Sequence, residues 1–192
     1  RGALTLFLRY NYVPTPYSIY DQIWKLPAGH FIVINQNNLS TKTIPKAKQY
    51  WSLNRVAIKN NRSSWKMNDE SSIDKLEKLL LNVVSKQMFS DVPLGAFLSG
   101  GVDSSAIVAL ASQKVSKMKC YTIMATEQGE EFKEDLIYAK SVSDHFNCEL
   151  NVVEVNGYTF ADKFHEMVLA LEEPVGDPAC VNVMLMSEKA KS

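Results

Sequence analysis

The sequence has 192 residues, of which 46% are hydrophobic and 22% charged, and its 21 basic residues balance its 21 acidic ones. This length fits one medium domain, or a small domain and part of another. The charge balance gives no sign of a nucleic-acid partner, and no apolar run approaches the roughly 18 residues of a membrane span. Three scattered cysteines predict neither a disulfide framework nor a C-x-x-C metal site, and they favour a reducing cytoplasm.

The first part of the chain, 1–58, carries the signals of short strands and turns. ALTLFLRY and GHFIVI are short apolar runs, and NQNN after the second run predicts a hairpin turn. The segment between the runs is rich in proline and aromatic residues, which predicts an extended, turning path because proline fixes φ. We therefore expect 1–58 to be the end of a β-rich domain. The polar stretch that follows, without periodicity, predicts a linker over 59–70.

The remainder, 71–192, alternates between helix and strand patterns. A capping box at Ser71 opens the first helix. Strands are predicted at PLGAFL, CYTIMA and ELNVVEV, and helices over Asp103–Val115, Asp135–Phe146, Tyr158–Leu171 and Val183–Ala190. This alternation predicts an α/β fold with a parallel sheet. Right-handed crossovers place the strand-to-helix loops on one edge of that sheet, where α/β proteins bind ligands.

The first of these loops reads FLSGGVDSS, from Phe97 to Ser105. Its two glycines allow a tight turn and the close approach of a ligand to the backbone. The unpaired amides of the next helix, together with the helix dipole, form an anion site. Hydroxyl donors for phosphate oxygens come from Ser99, Ser104 and Ser105. A plain turn followed by a helix cap accounts for the same residues, and the motif alone leaves both interpretations open.

Asp103 is the unusual member of this loop. A carboxylate repels a bound phosphate unless a divalent cation lies between them, so Asp103 is a candidate Mg²⁺ ligand. The loop contains no Walker sequence, no G-x-G-x-x-G and no G-x-S-x-G. The pattern is therefore not one of those phosphate or nucleophile motifs.

The string SGGVDSS after an apolar strand resembles the pyrophosphate loop of the N-type ATP pyrophosphatases. The longer string SDVPLGAFLSGGVDSSAIVALAS resembles the synthetase domain of glutamine-hydrolysing asparagine synthetases. YVPTPYSIYDQIWKLPAGHFIVI resembles the end of that family's glutaminase domain, and EEFKEDLIYAKSVSDHF and EEPVGDPACVNVMLMSEKAK resemble further synthetase segments. The resemblance implies an adenine nucleotide alpha hydrolase-like synthetase domain over 71–192. It also implies the C-terminal part of an Ntn-type, class II glutaminase domain over 1–58.

The resemblance implies a ligase that uses ATP, Mg²⁺, aspartate and glutamine, with glutamine as the ammonia donor. The aspartate carboxylate would attack the α-phosphate and give β-aspartyl-AMP and pyrophosphate. Ammonia would then displace AMP and give asparagine. Homodimer formation stays open.

By match to the family's motif, the loop residues would hold the pyrophosphate portion of ATP: Ser99, Gly100, Gly101, Val102, Asp103 and Ser104. Phe97 and Leu98 fall where the family lines its adenosine pocket, and Ile123 falls where its backbone meets adenine. An ordinary core role explains Ile123 equally well.

Acidic residues outside the loop are weaker candidates. Glu173 and Asp177 flank Pro174 in a predicted loop, and they are candidates for substrate contact or for helix capping. Further carboxylates follow the second strand, where a solvated helix start is the alternative: Glu130, Glu131, Glu134 and Asp135.

The sequence departs from the family at both active sites. The family's nucleophilic N-terminal cysteine has no counterpart at Arg1, and the S-G-x-G-x-D-E signature is absent. We therefore expect an internal fragment of a longer polypeptide, with no catalytic residue of its own and inactive alone. The alternatives are a related amidotransferase, a β-lactam-forming ligase acting on another carboxylate, and a non-catalytic nucleotide-binding module.

Overall fold

A computed structural model describes residues 1–61, 68–126 and 130–192. The chain forms two compact units, one comprising Arg1–Lys66 with Leu171–Asp177 and the other Met67–Ala170 with Pro178–Ser192. None of the helices in the described ranges is both long and apolar enough to cross a bilayer.

Helices dominate the first unit. Its described elements are α1 (Gly2–Tyr10), β1 (His30–Phe31), α2 (Gln36–Thr41), β2 (Lys48–Gln49) and α3 (Leu53–Asn61). The two strands form a short antiparallel ribbon in which His30 faces Gln49. Gly29 precedes this ribbon with φ +68°, and an added Cβ would lie 2.3 Å from the Trp51 carbonyl oxygen, so only glycine fits there.

The prediction of a β-rich first region is wrong for the described residues. ALTLFLRY forms α1, which ends where Asn11 adopts a left-handed conformation and its amide donates to the Phe7 carbonyl at 2.7 Å. A short apolar run fits a helix or a buried strand equally well. The predicted hairpin turn at NQNN is also wrong, because Asn35 and Asn38 form a reciprocal capping box that opens α2. Asparagine favours turns and helix starts alike.

The predicted linker, 59–70, has helical ends. Helix α3 continues to Asn61, and α4 (Asp69–Gln87) begins one residue after Asn68, whose side chain accepts a hydrogen bond from the Ser71 amide at 3.0 Å. Asn68 therefore caps this helix, in place of the predicted capping box at Ser71. Residues 62–67 of the predicted linker lie outside the described residues. The domain boundaries at 58 and 71 stay a prediction.

The second unit confirms the predicted α/β fold with a parallel sheet. After α4 come β3 (Gly95–Phe97), α5 (Val102–Ser112), β4 (Lys119–Ala125), α6 (Glu130–His145), β5 (Glu149–Val155), α7 (Gly157–Ala170) and α8 (Ala179–Lys191). The strands follow the order β3-β4-β5, and both pairings are parallel. The predicted strands and helices all recur, with ends shifted by a few residues.

The core of the second unit lies between α4, α5, α6 and the sheet. It is made of apolar side chains that are 8% exposed or less: Val84, Leu98, Val108, Leu110, Ala111, Met118, Cys120 and Ala139. Burying a side chain the size of valine or leucine stabilises a fold by about 1.5–3 kcal/mol. Burial, and secondarily the neighbouring Cys148, raises the pKa of the Cys120 thiol to about 12. This thiol therefore stays protonated at neutral pH and acts as a core side chain.

Helix α8 is attached to both α7 and the sheet. The Lys163 ammonium on α7 donates to Glu166 at 2.8 Å and to Glu188 on α8 at 2.7 Å, and these hydrogen bonds raise the pKa of Lys163. The helix also packs against β4 and β5. Its position beside the carboxyl ends of the strands follows from these contacts.

Candidate functional site

The glycine loop follows β3 directly. The Leu98 amide donates to the Tyr121 carbonyl at 2.9 Å, and the Leu98 side chain is only 1% exposed, so the backbone is fixed up to this point. Gly100 then turns the chain with φ +83°. A Cβ on Gly100 would lie 2.6 Å from the Asp135 carbonyl oxygen and 2.7 Å from the Ala139 nitrogen, both on α6. Only glycine fits this close approach of the loop to α6.

The loop ends at the N-terminus of α5, which has no side-chain cap. Gly101 is the N-cap residue, and the Ser104 hydroxyl donates to its carbonyl at 3.1 Å. Ser99 and Ser104 share a hydrogen bond of 3.0 Å between their hydroxyls. The first amides of a helix lack intrahelical acceptors and lie at the positive end of its dipole. The loop therefore combines free amides with two hydroxyls, which is the donor set that an anion requires.

Two further loop residues differ in their surroundings. The Ser105 hydroxyl is buried, and it finds no hydrogen-bond partner among the residues that the structure describes. Val102 is 86% exposed and occupies the first position of α5. A role for Val102 in binding phosphate would therefore use its backbone amide, because its side chain offers no donor.

Asp103 is exposed in the first turn of α5, beside these donors. Within the described ranges, no three residues among His, Cys, Asp and Glu are grouped as a metal-binding cluster. The loop supplies one carboxylate. A single carboxylate fits Mg²⁺, which keeps several waters and takes its remaining ligands from substrate phosphates.

A cavity of about 350 Å³ adjoins the loop at the carboxyl edge of β3 and β4. It brings together five of the predicted ATP residues: Phe97, Leu98, Ser99, Ser104 and Ile123. The other predicted residues lie in the loop or the first turn of α5 without lining the cavity: Gly100, Gly101, Val102, Asp103 and Ser105. The volume lies within the range of ligand pockets, about 300–1,000 Å³.

The backbone of Ile123 is open towards the β3 side. Tyr121 accepts the hydrogen bond of Leu98, and the pairing of β4 with β3 ends there, with Phe97 facing Tyr121. Successive residues of a strand direct their backbone amide and carbonyl groups to opposite edges of that strand. Ile123 therefore directs its amide and carbonyl towards β3, as Tyr121 does two residues earlier. That side has no strand partner beyond Tyr121 in the described sheet. The backbone amide of Ile123, a donor, and its carbonyl, an acceptor, are thus left without a strand partner at the cavity.

One wall of the cavity was not predicted from the sequence. Ala179, Asn182, Val183 and Met186 line it from α8, at the spacing of one helical face. Helical periodicity predicted a helix in this region, but no local signal shows which face meets a distant loop. Tyr121 and Thr122 of β4 were likewise not predicted as site residues.

Of the weaker acidic candidates after the second strand, one lies at the cavity. Asp135 on α6 lines the cavity. The side chains of Glu130, Glu131 and Glu134 lie outside the described residues. A role for Asp135 at the cavity remains a prediction.

Glu173 and Asp177 belong to the first unit, whereas the cavity is built from the second. Glu173 forms an ion pair with Lys25 and accepts a hydrogen bond from the Ile19 amide at 3.1 Å. Partial burial raises the pKa of Glu173, but the hydrogen bonds from Lys25 and Ile19 outweigh it, so the pKa lies below its ordinary value. These contacts give Glu173 a structural role, and a substrate role for either residue stays a prediction.

The fold and the loop define an α/β protein with a candidate anion and ligand site at the carboxyl edge of its parallel sheet. A family model described as asparagine synthase matches residues 75–192, more than half of the chain. The chain belongs to the asparagine synthase family.

Named relatives agree with this assignment. The chain is 28% identical over its whole length to a putative glutamine-hydrolyzing asparagine synthetase 2 from Methanocaldococcus jannaschii, of which it covers 35%. It is 31% identical over 98% of its length to a putative glutamine-hydrolyzing asparagine synthetase from Mycobacterium bovis, of which it covers 27%. The chain thus spans about a third or less of these relatives.

A solved structure of NMN synthetase from Francisella tularensis resembles the chain with a TM-score of 0.44 and 16% identity. This likeness covers 62% of the chain and 50% of the NMN synthetase chain. It is a partial likeness of fold.

Proposed function

We propose that the complete gene product carrying this chain is an ATP-dependent ligase that forms an amide with glutamine as the ammonia donor. We further propose that aspartate is the acceptor, activated as β-aspartyl-AMP and converted to asparagine. Membership of the asparagine synthase family supports the reaction class. The observation that carries the proposal is the cavity that adjoins the N-terminus of α5 at the sheet edge.

The loop residues would bind the pyrophosphate portion of ATP and orient it. Negative charge accumulates on the leaving pyrophosphate, so donors that are fixed before the reaction stabilise the transition state. The first-turn amides of α5 are such donors, because the helix fixes their direction. The hydroxyls of Ser99 and Ser104, which hydrogen-bond each other, lie beside these amides and would turn towards the phosphate when it binds. Asp103 would hold Mg²⁺, which neutralises charge on the phosphates when it is bound.

The apolar part of the cavity would hold the nucleoside. Phe97, Leu98 and Ile123 supply apolar surface there, and the open amide and carbonyl of Ile123 match a base edge that presents one acceptor and one donor. This arrangement binds and orients ATP without an acid or base from the protein, so the loop's contribution is positioning and electrostatic stabilisation.

The experiment compares Asp103→Asn with Asp69→Asn in the complete gene product. Asp69 is a matched control because it occupies the first turn of α4, as Asp103 does in α5. We expect the unaltered protein to convert ATP to AMP and pyrophosphate only when aspartate and either glutamine or ammonia are present. Asp103→Asn should reduce this rate by about 100-fold or more, and Asp69→Asn should leave it unchanged.

Two outcomes would contradict the proposal. Release of ADP and phosphate instead of AMP and pyrophosphate would exclude attack on the α-phosphate. ATP binding without turnover under any combination of aspartate, glutamine and ammonia would favour the non-catalytic module, and turnover with another carboxylic acid would favour a related ligase.

A further inference from the structure

Two parts of the cavity lining differ in chemistry. The part at Ser99 and Ser104 has hydroxyls beside the free amides of α5 and suits phosphate. The part on α8 offers the apolar side chains of Val183 and Met186 together with the amide of Asn182. Among the described residues, Asn182 is the one polar side chain that α8 contributes to this lining.

We propose that Asn182 is a specificity-determining residue that hydrogen-bonds the polar edge of the nucleobase. This inference rests on the proposed function, because it assumes that the phosphates occupy the loop. A nucleotide with its phosphates at the N-terminus of α5 extends its base away from the loop, and Val183 and Met186 give that base an apolar surface. The Asn182 amide then lies at the edge of the base.

The chemistry of the amide fits an adenine edge. A primary amide carries two donors and one acceptor on the same plane. Adenine presents an amino donor next to a ring-nitrogen acceptor, and asparagine pairs with both in a bidentate manner. The base would therefore be contacted from two elements, by the side-chain amide of Asn182 on α8 and by the backbone amide and carbonyl of Ile123 on β4.

Burial gives the second reason. Asn182 is half-buried, and its side chain has no hydrogen-bond partner among the described residues. A base that fills the cavity removes water from this amide. A ligand that pairs with this amide should bind about tenfold more tightly than one of similar shape that leaves it unpaired.

The position of Asn182 is fixed by its helix. Helix α8 packs against β4 and β5, and Lys163 links it to α7 through Glu188. Val181 and Leu185 on the other face of α8 are 0% and 8% exposed, so the helix cannot rotate without exposing them. The side-chain amide of Asn182 is thus held on a packed helix. A residue that distinguishes between ligands needs such a fixed position.

The test measures the dissociation constants of ATP·Mg²⁺ and of purine riboside triphosphate·Mg²⁺, which lacks the amino group, for the complete gene product. The unaltered protein should bind ATP about tenfold more tightly than the deaminated analogue. Asn182→Ala and the similarly shaped Asn182→Leu should lower this preference to about threefold, the part that the Ile123 carbonyl would retain by accepting from the amino group. Val183→Ala, the matched control on the same helix face, should weaken both nucleotides by the same factor and keep the tenfold preference.

The outcomes separate this inference from the proposed function. If the unaltered protein prefers ATP and both Asn182 variants keep that preference, Asn182 does not read the base, while the proposed function stands. If the unaltered protein binds ATP no more tightly than the analogue, Asn182 again does not read the amino group of the base, and the proposed function still stands. Failure of the unaltered protein to bind ATP·Mg²⁺ would overturn both.

Discussion

The two units of the molecule bury their apolar residues to very different extents. In the second unit a group of side chains around Leu98, Val108 and Leu110 is 8% exposed or less, whereas Val13 is the one buried residue among those described in the first unit. Large apolar side chains of the first unit, such as Ile44 and Leu8, are 81% and 73% exposed. Among the described residues, the second unit therefore contains a packed core, whereas the first unit shows mainly local hydrogen bonds and the Lys25–Glu173 ion pair.

This difference leads to a prediction about stability. Leu110→Ala should lower the free energy of unfolding by about 2–5 kcal/mol, because it leaves a cavity in a packed core. The matched change Leu39→Ala in the first unit should cost less than about 0.5 kcal/mol, because Leu39 is 69% exposed. Urea unfolding followed by circular dichroism measures both. Equal losses for the two variants would show that the contrast in burial does not control stability.

The same contrast explains how much the sequence could predict. In the second unit the periodicity of the helices, the alternation with strands and the glycine loop agree with one another, and the fold and the loop residues Ser99 and Ser104 follow from them. The cavity residues Phe97, Leu98 and Ile123 follow from the family resemblance. In the first unit ALTLFLRY and NQNN each fit two local structures, and the described residues of this unit show few buried contacts that would select between them. The α8 wall was missed for another reason, because its contact with the loop joins residues about 80 positions apart.

A second prediction concerns the backbone of the glycine loop. Gly100→Ala places a methyl group within 2.6 Å of the Asp135 carbonyl at φ +83°, so either the loop or α6 must move. We expect a loss of about 1–3 kcal/mol in the free energy of unfolding, together with weaker nucleotide binding. Gly101→Ala is the control, because its φ is −68° and the nearest atom to an added Cβ lies at 3.5 Å.

Gly101→Ala should therefore cost less than about 1 kcal/mol in the free energy of unfolding, a loss that reflects only the weaker N-cap. Thermal or urea unfolding of both variants gives the comparison. If Gly101→Ala proved as destabilising as Gly100→Ala, the assignment of the strained position would be wrong.

The smallest expected effect lies in the first unit, at the Lys25–Glu173 ion pair. The folded-state pKa of Glu173 lies below its ordinary value, so this pair stabilises the fold above the ordinary range of glutamate. That stability is lost as the pH falls below the ordinary glutamate range and through the lowered pKa of Glu173. We expect the loss to be about 1 kcal/mol, since Lys25 is partly exposed to solvent.

Tryptophan fluorescence suits the measurement, because Trp24 and Trp51 both lie in the first unit. Urea unfolding at pH 6 and pH 3 should show this acid-dependent loss in the unaltered protein and a smaller loss in Glu173→Gln. Lys25→Met should reduce the pH dependence in the same way. An unchanged pH dependence in both variants would show that the pair contributes nothing to stability.

The proposed function requires the second unit to bind ATP at the glycine loop and at the wall of the cavity that α8 forms. Amide hydrogen exchange of the complete gene product, with and without saturating ATP·Mg²⁺, measures this binding residue by residue. We predict slower exchange at residues 100–105 and 182–186, and no change in the β1–β2 ribbon of the first unit. Slower exchange in the ribbon with none at the loop would contradict the account.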